Sequence, residues 1–506
     1  MKKKIYFHPF LFALFPVLYI FSRNLNIVHP EEVIVPAFIV LFLALVLFLL
    51  FVLFLKNKEK AAVLTSVVII VFFLYGHLIN VFRSAPLLKT GLVTIGPIKI
   101  ATVMWLLLFI LLPVRIIKTS RNLEALNVFM GATSVILIAL TLFNVILYKV
   151  QTGGALVNVN TKNNASTMQD SRDWPDIIYI ILDGYARDDV LLNRYGFDNS
   201  DFIKKLKEMG FIVAGKSLSN YATTLLSLST SLNMEYTHKL FKESHPRHLR
   251  EKILIDLIKH SRVVDFLRSR GYVFVAFSPG INYTEITNAD VFYKFSTAFS
   301  YFSNEILNTT PIPQVFRFNM YDFHRRRVLY ILDHIKEINN FSKPVFMFVH
   351  LVCPHPPYVF GRDGEPVKFK INPYANFDLE NFGWGKAADK KQRYLNQMTF
   401  INKRVTSELE KTIRGRKRPM IIIVQSDHGT SFEDEGWDVR FPILNAFYFS
   451  PGPIAEKETP PEIKQDITPV NSFAIILNYY FGATEPIKED KSYTTPDYVK
   501  FEEYKL

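Results

Sequence analysis

The sequence predicts an N-terminal domain of five membrane-spanning helices, followed by an α/β domain with a mainly parallel central sheet. Charge is the first observation: residues 1–150 of the 506-residue chain hold 14 Lys and Arg against four acidic residues, although this third is strongly apolar. The second observation is a series of apolar runs near the roughly 20 residues that span a bilayer as a helix. The third is an alternation of β-branched runs with amphipathic segments after residue 176.

Five apolar runs with polar flanks form the predicted membrane domain. Their number and length argue against buried helices of a soluble core. The basic start of the first run also suits a signal peptide, but no A-x-A-like cleavage site follows it and four further runs do. Basic residues that lie in membrane loops also argue against a nucleic-acid-binding protein. The predicted spans are about 5–21, 33–55, 61–82, 100–117 and 123–148.

The charges of the loops predict the orientation of these helices. Nine Lys and Arg lie at the N-terminus and in the loops on its side, whereas the opposite loops hold four. The positive-inside rule therefore predicts a cytoplasmic N-terminus in a plasma or inner membrane. With five spans, everything after residue 150 is expected to be periplasmic or extracellular.

The remainder of the chain is predicted to be a linker and one outer domain. Residues 151–175 are rich in Gly, Asn, Ser and Thr without periodicity, which is typical of a linker. Within 176–506, apolar runs alternate with helical patterns such as 200–210 and 391–411, which indicates a parallel sheet covered by helices. Ligands of such sheets bind beyond the carboxyl ends of the strands. The predicted strands are 176–182, 272–278, 345–351, 420–426 and 444–449.

Two of these strand ends carry metal-binding residue types. Asp183 directly follows the first strand and precedes Gly184, although an Asx turn or a helix cap explains it equally well. Asp427 and His428 follow the 420–426 strand, and such a neighbouring oxygen and nitrogen pair can hold a divalent ion such as zinc or manganese. Gly429 is expected to let the chain turn sharply behind them.

A third strand end leads into a proline-rich loop with two histidines, His350 and His355. A histidine there can bind a metal, stabilise a transition state or donate a proton to a leaving oxygen. His350 is expected to be a core residue, and His355 is the better functional candidate. The single cysteine, Cys353, excludes an intramolecular disulfide and a multi-cysteine metal cluster.

Hydroxyl side chains begin a helical pattern within residues 219–233. The start of a helix has free N–H groups and a positive dipole end, which favour a phosphate. An ordinary N-cap is the alternative. Spacing alone does not decide whether Thr223 or Thr224 faces a metal.

In this order, the strand-end Asp, the helix Thr, the histidine loop and the Asp-His-Gly motif resemble the alkaline phosphatase superfamily. More narrowly, they resemble its sulfatase-like membrane branch, which includes lipoteichoic acid synthases and lipid A phosphoethanolamine transferases. The resemblance implies that a divalent ion (Mn, Zn or Mg) is bound by Asp183, Thr224, Asp427 and His428. It also implies that Thr224 is the nucleophile and that His355 is a substrate-site or second-metal residue.

The resemblance has departures as well as matches. Ser227, three residues after Thr224, resembles the hydroxyl spacing of the transferases and favours Thr224 over Thr223. In contrast, Asp183 stands where the membrane transferases usually have Glu, and the sequence has no convincing match to the Asp-x-x-x-His pair of a second metal site. Arg440 lies near the position of a further family histidine, where it is a candidate phosphate contact or, equally, a surface salt bridge.

The function implied is that of a membrane-anchored transferase. It would move phosphoethanolamine or phosphoglycerol from a phospholipid to an envelope glycan or glycolipid through a phospho-threonine intermediate. A phosphodiesterase or phosphatase that uses water is one alternative, and a non-catalytic envelope scaffold is another. Residues 224–228 read TLLSL, so the Cys/Ser-x-Pro-x-Arg segment that sulfatases oxidise is missing, which argues against sulfate-ester hydrolysis. The sequence predicts no oligomeric state.

Overall fold

A computed structural model provides the structure of the protein, and its chain divides into two compact units. The first holds the N-terminal helices together with residues 301–315, and the second holds the other described residues from Trp174 onward. The structure describes residues 6–25, 28, 30–83, 88–90, 93–95, 97–153, 174–240, 245–295, 301–315, 320–367, 387–430, 432, 435–495 and 498–505.

The first unit is built from five apolar helices, and each overlaps one of the predicted spans. Four of them are long and apolar enough to cross a membrane, whereas the first is apolar but has 16 residues. The elements are α1 (His8–Arg23), α2 (Glu31–Leu55), α3 (Lys58–Arg83), the hairpin β1 (Leu88–Thr90) and β2 (Val93–Ile95), α4 (Pro97–Lys118) and α5 (Glu124–Gly153).

The remaining elements follow the predicted linker, most of which lies outside the described residues. In chain order they are β3 (Asp176–Leu182), α6 (Asp188–Tyr195), α7 (Ser200–Glu208), β4 (Phe211–Val213), α8 (Thr224–Ser231), α9 (Arg247–Lys259), α10 (Arg262–Arg268), β5 (Val273–Phe277), β6 (Val291–Tyr293), α11 (Tyr301–Asn308), α12 (Ile312–Val315), α13 (Met320–His334), β7 (Val345–Leu351), α14 (Ala387–Arg414), β8 (Met420–Gln425), α15 (Trp437–Arg440), β9 (Asn445–Phe449), α16 (Pro469–Phe481), β10 (Ser492–Thr494) and β11 (Glu502–Tyr504).

The second unit is organised by a seven-stranded sheet with the order β4-β9-β8-β3-β7-β5-β6. Strand β9 runs opposite to the other six strands, which all share one direction. The prediction of a mainly parallel sheet is therefore confirmed. The central strand β3 is buried along its whole length. Its alternate residues enter two separate cores, with Ile178 and Ile180 on one face and Ile177 and Tyr179 on the other. This double burial explains the continuous apolar composition of the strand.

We call the first unit the membrane unit and the second unit the outer unit. Residues 301–315 belong to the membrane unit, although they come from the middle of the outer-domain sequence. Phe302 and Ile306 of α11 are buried in one cluster with Val17 of α1 and Val28. We call this pair of short helices, α11 and α12, the membrane insertion.

The sheet topology brings the predicted strand-end residues to one edge. Strands β7, β3 and β8 are adjacent and parallel, so their carboxyl ends lie side by side. Asp183 follows β3 directly, His350 is the second-last residue of β7, and Asp427 comes two residues after β8. Thr224, the first residue of α8, reaches the same edge from a helix.

Candidate metal centre

Three side chains of metal-binding type meet at this edge: Asp183, Asp427 and His428. One ligand atom from each lies within 4.8 Å of the others, and all three residues are buried. Nε2 of His428 lies 3.6 Å from Oδ1 of Asp183 and 3.4 Å from Oδ2 of Asp427. Neither of these two buried carboxylate oxygens has a hydrogen-bond partner among the described residues. Since unpartnered buried charge is costly, this arrangement fits a cation.

Thr224 completes a set of four candidate ligands. Its Oγ1 lies 3.3 Å from Nε2 of His428. Ligands at 2.0–2.2 Å from a tetrahedral ion are separated by roughly 3.3–3.6 Å. The separations around His428 therefore suit a small divalent ion, for which Asp183, Asp427 and Thr224 are the other candidate ligands.

The imidazole of His428 is oriented for metal binding. Its Nδ1 donates a hydrogen bond to the Gly429 carbonyl oxygen at 2.8 Å, which leaves the lone pair on Nε2 facing the carboxylates. Burial and the neighbouring Arg440 lower the pKa of His428. The neutral form, which is the one that binds metals, is therefore favoured.

Asp183 is held as a carboxylate by its surroundings. Burial alone disfavours its charged form, but His355, His350 and His428 together lower its pKa below the usual carboxyl range. Nε2 of His350, on β7, lies 3.4 Å from Oδ2 of Asp183. An ionised Asp183 is the form that a metal site requires.

His355 lies at the side of this cluster. Its backbone N–H donates to the Asp183 carbonyl oxygen at 2.9 Å, and the centroid of its ring is 6.3 Å from that of His428. Its Nδ1 donates to the carbonyl oxygen of Pro356 at 2.7 Å, so Nε2 is the atom left to exchange a proton. The half-buried His355 is thus placed beside the metal ligands.

The comparison with protein-family models matches residues 175–478 of this chain to the sulfatase family. The chain belongs to the sulfatase family. This match spans more than half of the chain and confirms the predicted resemblance to the sulfatase-like branch of the alkaline phosphatase superfamily. No curated protein shows a significant match.

Several solved structures resemble the chain at low identity. The full-length lipooligosaccharide phosphoethanolamine transferase A of Neisseria meningitidis is 12% identical, with a TM-score of 0.40, and the alignment covers 94% of this chain and 95% of that one. The periplasmic domain of EptC from Escherichia coli is 14% identical, with a TM-score of 0.42 and coverage of 68% and 94%. The periplasmic domain of phosphoethanolamine transferase EptC from Campylobacter jejuni is 13% identical, with a TM-score of 0.38 and coverage of 64% and 94%.

Arg440 of this sulfatase-family protein lies at the candidate metal centre. Its Nε donates to the Ala222 carbonyl oxygen and one terminal nitrogen donates to the Gly429 carbonyl oxygen, both at 3.1 Å. The other terminal nitrogen is 3.5 Å from Nε2 of His428. The guanidinium group is thus held by backbone carbonyls beside the site, a position suited to a phosphate oxygen.

Gly429 is needed at this site for a close backbone approach. Its N–H donates to the Arg440 carbonyl oxygen at 2.7 Å. A Cβ atom there would lie 2.4 Å from the carbonyl oxygen of Val439 and 2.9 Å from that of Pro442. The expected sharp turn is therefore better described as tight packing of the Asp-His-Gly segment against α15.

Two residues at the site were not found by sequence reasoning. Tyr283 lies in the 3₁₀ turn Asn282–Thr284 after β5, and its hydroxyl interacts with the side chain of Thr224. His350, expected to be a core residue, is buried but also contacts Asp183, and its Nδ1 is 2.9 Å from the Thr284 hydroxyl. The turn after β5 lies at the same sheet edge, so the strand-end rule could have found both contacts.

In the part of the chain that the structure describes, Asp183, Asp427 and His428 form the one group of at least three metal-binding side chains. Asp256 and His260 have the Asp-x-x-x-His spacing, but they lie at the end of α9 and are not part of this group. The family assignment and this ligand set identify a sulfatase-like enzyme, either a phosphotransferase or a hydrolase.

Proposed function

We propose that this sulfatase-like protein is a membrane-anchored, metal-dependent transferase. It moves phosphoethanolamine or phosphoglycerol from a phospholipid to an envelope glycan or glycolipid, through a phospho-threonine intermediate. The observation that carries the proposal is the Thr224 hydroxyl at 3.3 Å from Nε2 of His428, beside two buried carboxylate oxygens, Asp183 Oδ1 and Asp427 Oδ2, that accept no hydrogen bond from the described residues.

The four residues that would hold the ion are Asp183, Thr224, Asp427 and His428. A bound divalent ion would lower the pKa of the threonine hydroxyl and neutralise negative charge on the phosphoryl oxygens. The chain itself supplies the orientation: His428 is locked by Gly429, and Asp427 Oδ1 accepts hydrogen bonds from the N–H groups of Gly184 and His428. Such fixed ligands need little reorganisation during the reaction.

In the first step, the deprotonated oxygen of Thr224 attacks the phosphorus of the phospholipid. A threonine–phosphorus bond forms, and the bond from phosphorus to the diacylglycerol oxygen breaks. His355, with Nε2 available, donates a proton to that leaving oxygen. Arg440 binds a non-bridging oxygen of the phosphoryl group as its charge develops.

In the second step, a hydroxyl group of the acceptor attacks the phospho-threonine. His355 takes up the proton of that hydroxyl, and the Thr224 oxygen leaves and is restored. If water takes the place of the acceptor, the same residues catalyse hydrolysis, which is the alternative function.

The nucleophile segment favours phosphoryl transfer over sulfate-ester hydrolysis. Sulfatases oxidise a Cys or Ser to an aldehyde, whereas oxidation of the secondary alcohol of Thr224 would give a ketone. The segment 224–228 lacks the Pro and Arg of the modification motif. Membership of the sulfatase family therefore describes the fold and the metal chemistry of this chain.

The membrane unit favours a lipid as the donor. Its helices expose many large apolar side chains, including Phe38, Leu53 and Phe54, which suit a bilayer. The loop charges support a cytoplasmic N-terminus and a catalytic domain outside, in the periplasm or beyond the plasma membrane. A donor in the outer leaflet and an acceptor in the envelope are then accessible from the same side.

The test uses full-length protein in vesicles of phosphatidylglycerol and phosphatidylethanolamine, with diacylglycerol release measured with and without Mn²⁺, Zn²⁺ or Mg²⁺. We expect metal-dependent release that Thr224→Ala abolishes. Thr223→Ala is the matched control, because it removes the neighbouring hydroxyl, and it should retain release. If Thr223→Ala abolished diacylglycerol release and Thr224→Ala retained it, the assignment of Thr224 as the nucleophile would be overturned.

Product analysis separates the candidate functions. A head group attached to an added glycolipid acceptor supports the transferase, whereas a free head group with acceptor present supports the hydrolase. No release together with no binding of any of the three ions would favour a non-catalytic scaffold.

A further inference from the structure

The membrane unit contains an apolar cavity of about 500 Å³. It lies between α2, α3 and the membrane insertion, with single contributions from α1 and α4. Nearly all of the side chains that line it are hydrocarbon; Val40 and Leu47 come from α2, Phe72 from α3 and Ile306 from α11. Its volume is in the range of about 300–1,000 Å³ that is typical of ligand pockets.

The cavity opens through the face that α2 turns to its surroundings. Ile39, Leu43 and Val46 belong both to the cavity lining and to the exposed apolar side chains of α2. On a helix that qualifies as a membrane span, such an exposed apolar face meets the hydrocarbon of the bilayer. The cavity therefore opens to the hydrocarbon core of the bilayer.

The membrane insertion forms one wall of the cavity and is fixed in place by Gly76. The Gly76 N–H of α3 donates to the Thr309 carbonyl oxygen at 3.0 Å. A Cβ atom at Gly76 would lie 2.1 Å from the Asn308 carbonyl oxygen, so only glycine allows this approach. The wall is thus a built contact within the unit, and Ser303 and Thr310 supply its few hydroxyls.

We propose that this cavity binds one acyl chain of a bilayer phospholipid. Water would find almost no polar partners in it, and an empty cavity would forfeit the dispersion contacts of its lining. A phosphate or sugar would lose its hydrogen bonds there. A hydrocarbon chain matches the apolar lining of the cavity. Lipid acyl chains are also the molecules that lie at its opening.

The bound chain belongs to the outer leaflet. The residues of α2 that line the cavity run from Val35 to Leu47 and are centred in the first half of the helix, which starts on the outer side in the orientation proposed above. The site goes beyond the proposed reaction, because chain binding can be measured without turnover. Failure of the transferase assay and failure of chain binding are therefore distinguishable results.

The test uses full-length protein in vesicles of phosphatidylethanolamine and phosphatidylglycerol that contain a phosphatidylethanolamine with a diazirine near the end of one acyl chain. After illumination, labelled residues are mapped by peptide mass spectrometry. We expect saturable labelling of cavity residues such as Val40, Leu47 and Ile306, reduced by competition with unlabelled phospholipid.

A matched pair of variants on α2 tests the position of the site. Leu43→Trp places a bulky ring at the opening, on a side chain already exposed to lipid, and should remove the cavity labelling. Leu53→Trp changes another exposed leucine of the same helix, one that lies outside the cavity lining, and should leave the labelling unchanged. Even labelling along exposed residues, or cavity labelling that persists in Leu43→Trp, would overturn the proposal.

A second variant keeps the proposal testable if Leu43→Trp fails to fold. Phe109→Ala removes a ring from the cavity wall and enlarges the space. Competition by phospholipids with longer acyl chains should then become stronger than in the unmodified protein. An unchanged chain-length preference in a folded Phe109→Ala protein would contradict acyl-chain binding at this site.

Discussion

The Thr224 hydroxyl and Nε2 of His428 lie 3.3 Å apart, one at the start of a helix and the other just beyond a strand. The same nitrogen is 3.4 Å from Asp427 and 3.6 Å from Asp183. The proposed nucleophile and three candidate metal ligands thus lie close together. Because His428 is proposed as a ligand and Thr224 also as the nucleophile, their substitutions should affect metal binding and chemistry to different extents.

His428→Ala should weaken binding of a divalent ion by more than roughly 100-fold. Loss of a residue that only supports a ligand costs about 10- to 100-fold, and loss of a direct ligand should exceed this. Isothermal titration of the full-length protein with Zn²⁺ and Mn²⁺ measures the effect. His260→Ala, at an exposed histidine of the same unit, is the control and should bind as the unmodified protein does.

Thermal unfolding checks the same metal site independently. An ion that binds only the folded state stabilises it by about 2.7 kcal/mol at a free concentration 100 times Kd. The Tm of the unmodified protein should therefore rise with added ion, and that of His428→Ala should not. A Tm that none of the three ions changes in the unmodified protein would contradict the metal centre.

Gly429→Ala should destabilise the outer unit and reduce activity together. Its Cβ atom would lie 2.4 Å from the Val439 carbonyl oxygen, so α15 and Arg440 must move. A clash of this kind in a packed region typically costs about 1–3 kcal/mol. Gly215→Ala is the matched control, because the nearest atom there is a flexible glutamine oxygen at 3.5 Å. Equal Tm values for the two variants would rule out the packing role of Gly429.

Much of the fold and of the metal centre could be predicted from sequence because strong local patterns determine them. The apolar strand before Asp183 and the one before Asp427 are each buried on both faces, and their neighbouring positions in the sheet bring the two carboxylates together. The antiparallel direction of β9 could not be predicted, because its composition is the same in either direction. Its pairing partners decide it.

The membrane insertion could not be predicted for a different reason. Residues 301–315 form short amphipathic segments. Nothing in their composition indicates that they pack against helices 230 or more residues earlier in the chain. The decisive contact depends on the absence of a side chain at Gly76, which a single sequence does not distinguish from any other helix glycine. Tyr283 differs from these residues: the turn that holds it has no recognisable motif, but its place after β5 at the same sheet edge was the signal that could have found it.

Tyr283→Phe should lower kcat with little change in metal affinity. The phenol interacts with the Thr224 side chain, and burial, Asp183 and Asp427 raise its pKa, so it stays neutral and can donate a hydrogen bond during the reaction. Loss of one hydrogen bond of about 1–1.5 kcal/mol corresponds to a roughly tenfold lower rate. Tyr479→Phe also removes one tyrosine hydrogen bond, to the Thr459 carbonyl oxygen at the surface, and should leave kcat unchanged. A kcat for Tyr283→Phe equal to that of Tyr479→Phe would show that the phenol has no part in the reaction.

His324 should make the outer unit less stable as the pH falls below neutrality. It is buried on α13, with its Nε2–H donating to the Val352 carbonyl oxygen at 3.1 Å. Burial and Arg327 lower its pKa from 6.5 to about 3. Below pH 6.5 the unfolded chain therefore binds a proton that the folded protein does not accept until about pH 3. Stability from this group is complete above pH 6.5 and is lost as the pH falls through that window.

The variant that isolates this effect is His324→Gln, whose amide keeps a donor for Val352 but does not titrate. Its Tm should fall less steeply between pH 6 and pH 4 than that of the unmodified protein, because one fewer proton is taken up on unfolding, a difference of up to about 1.4 kcal/mol per pH unit. His260→Gln removes an exposed histidine and should follow the unmodified curve. Parallel curves for His324→Gln and the unmodified protein would mean that His324 is protonated in the folded state, and the hydrogen bond to Val352 would then have to be charge-assisted.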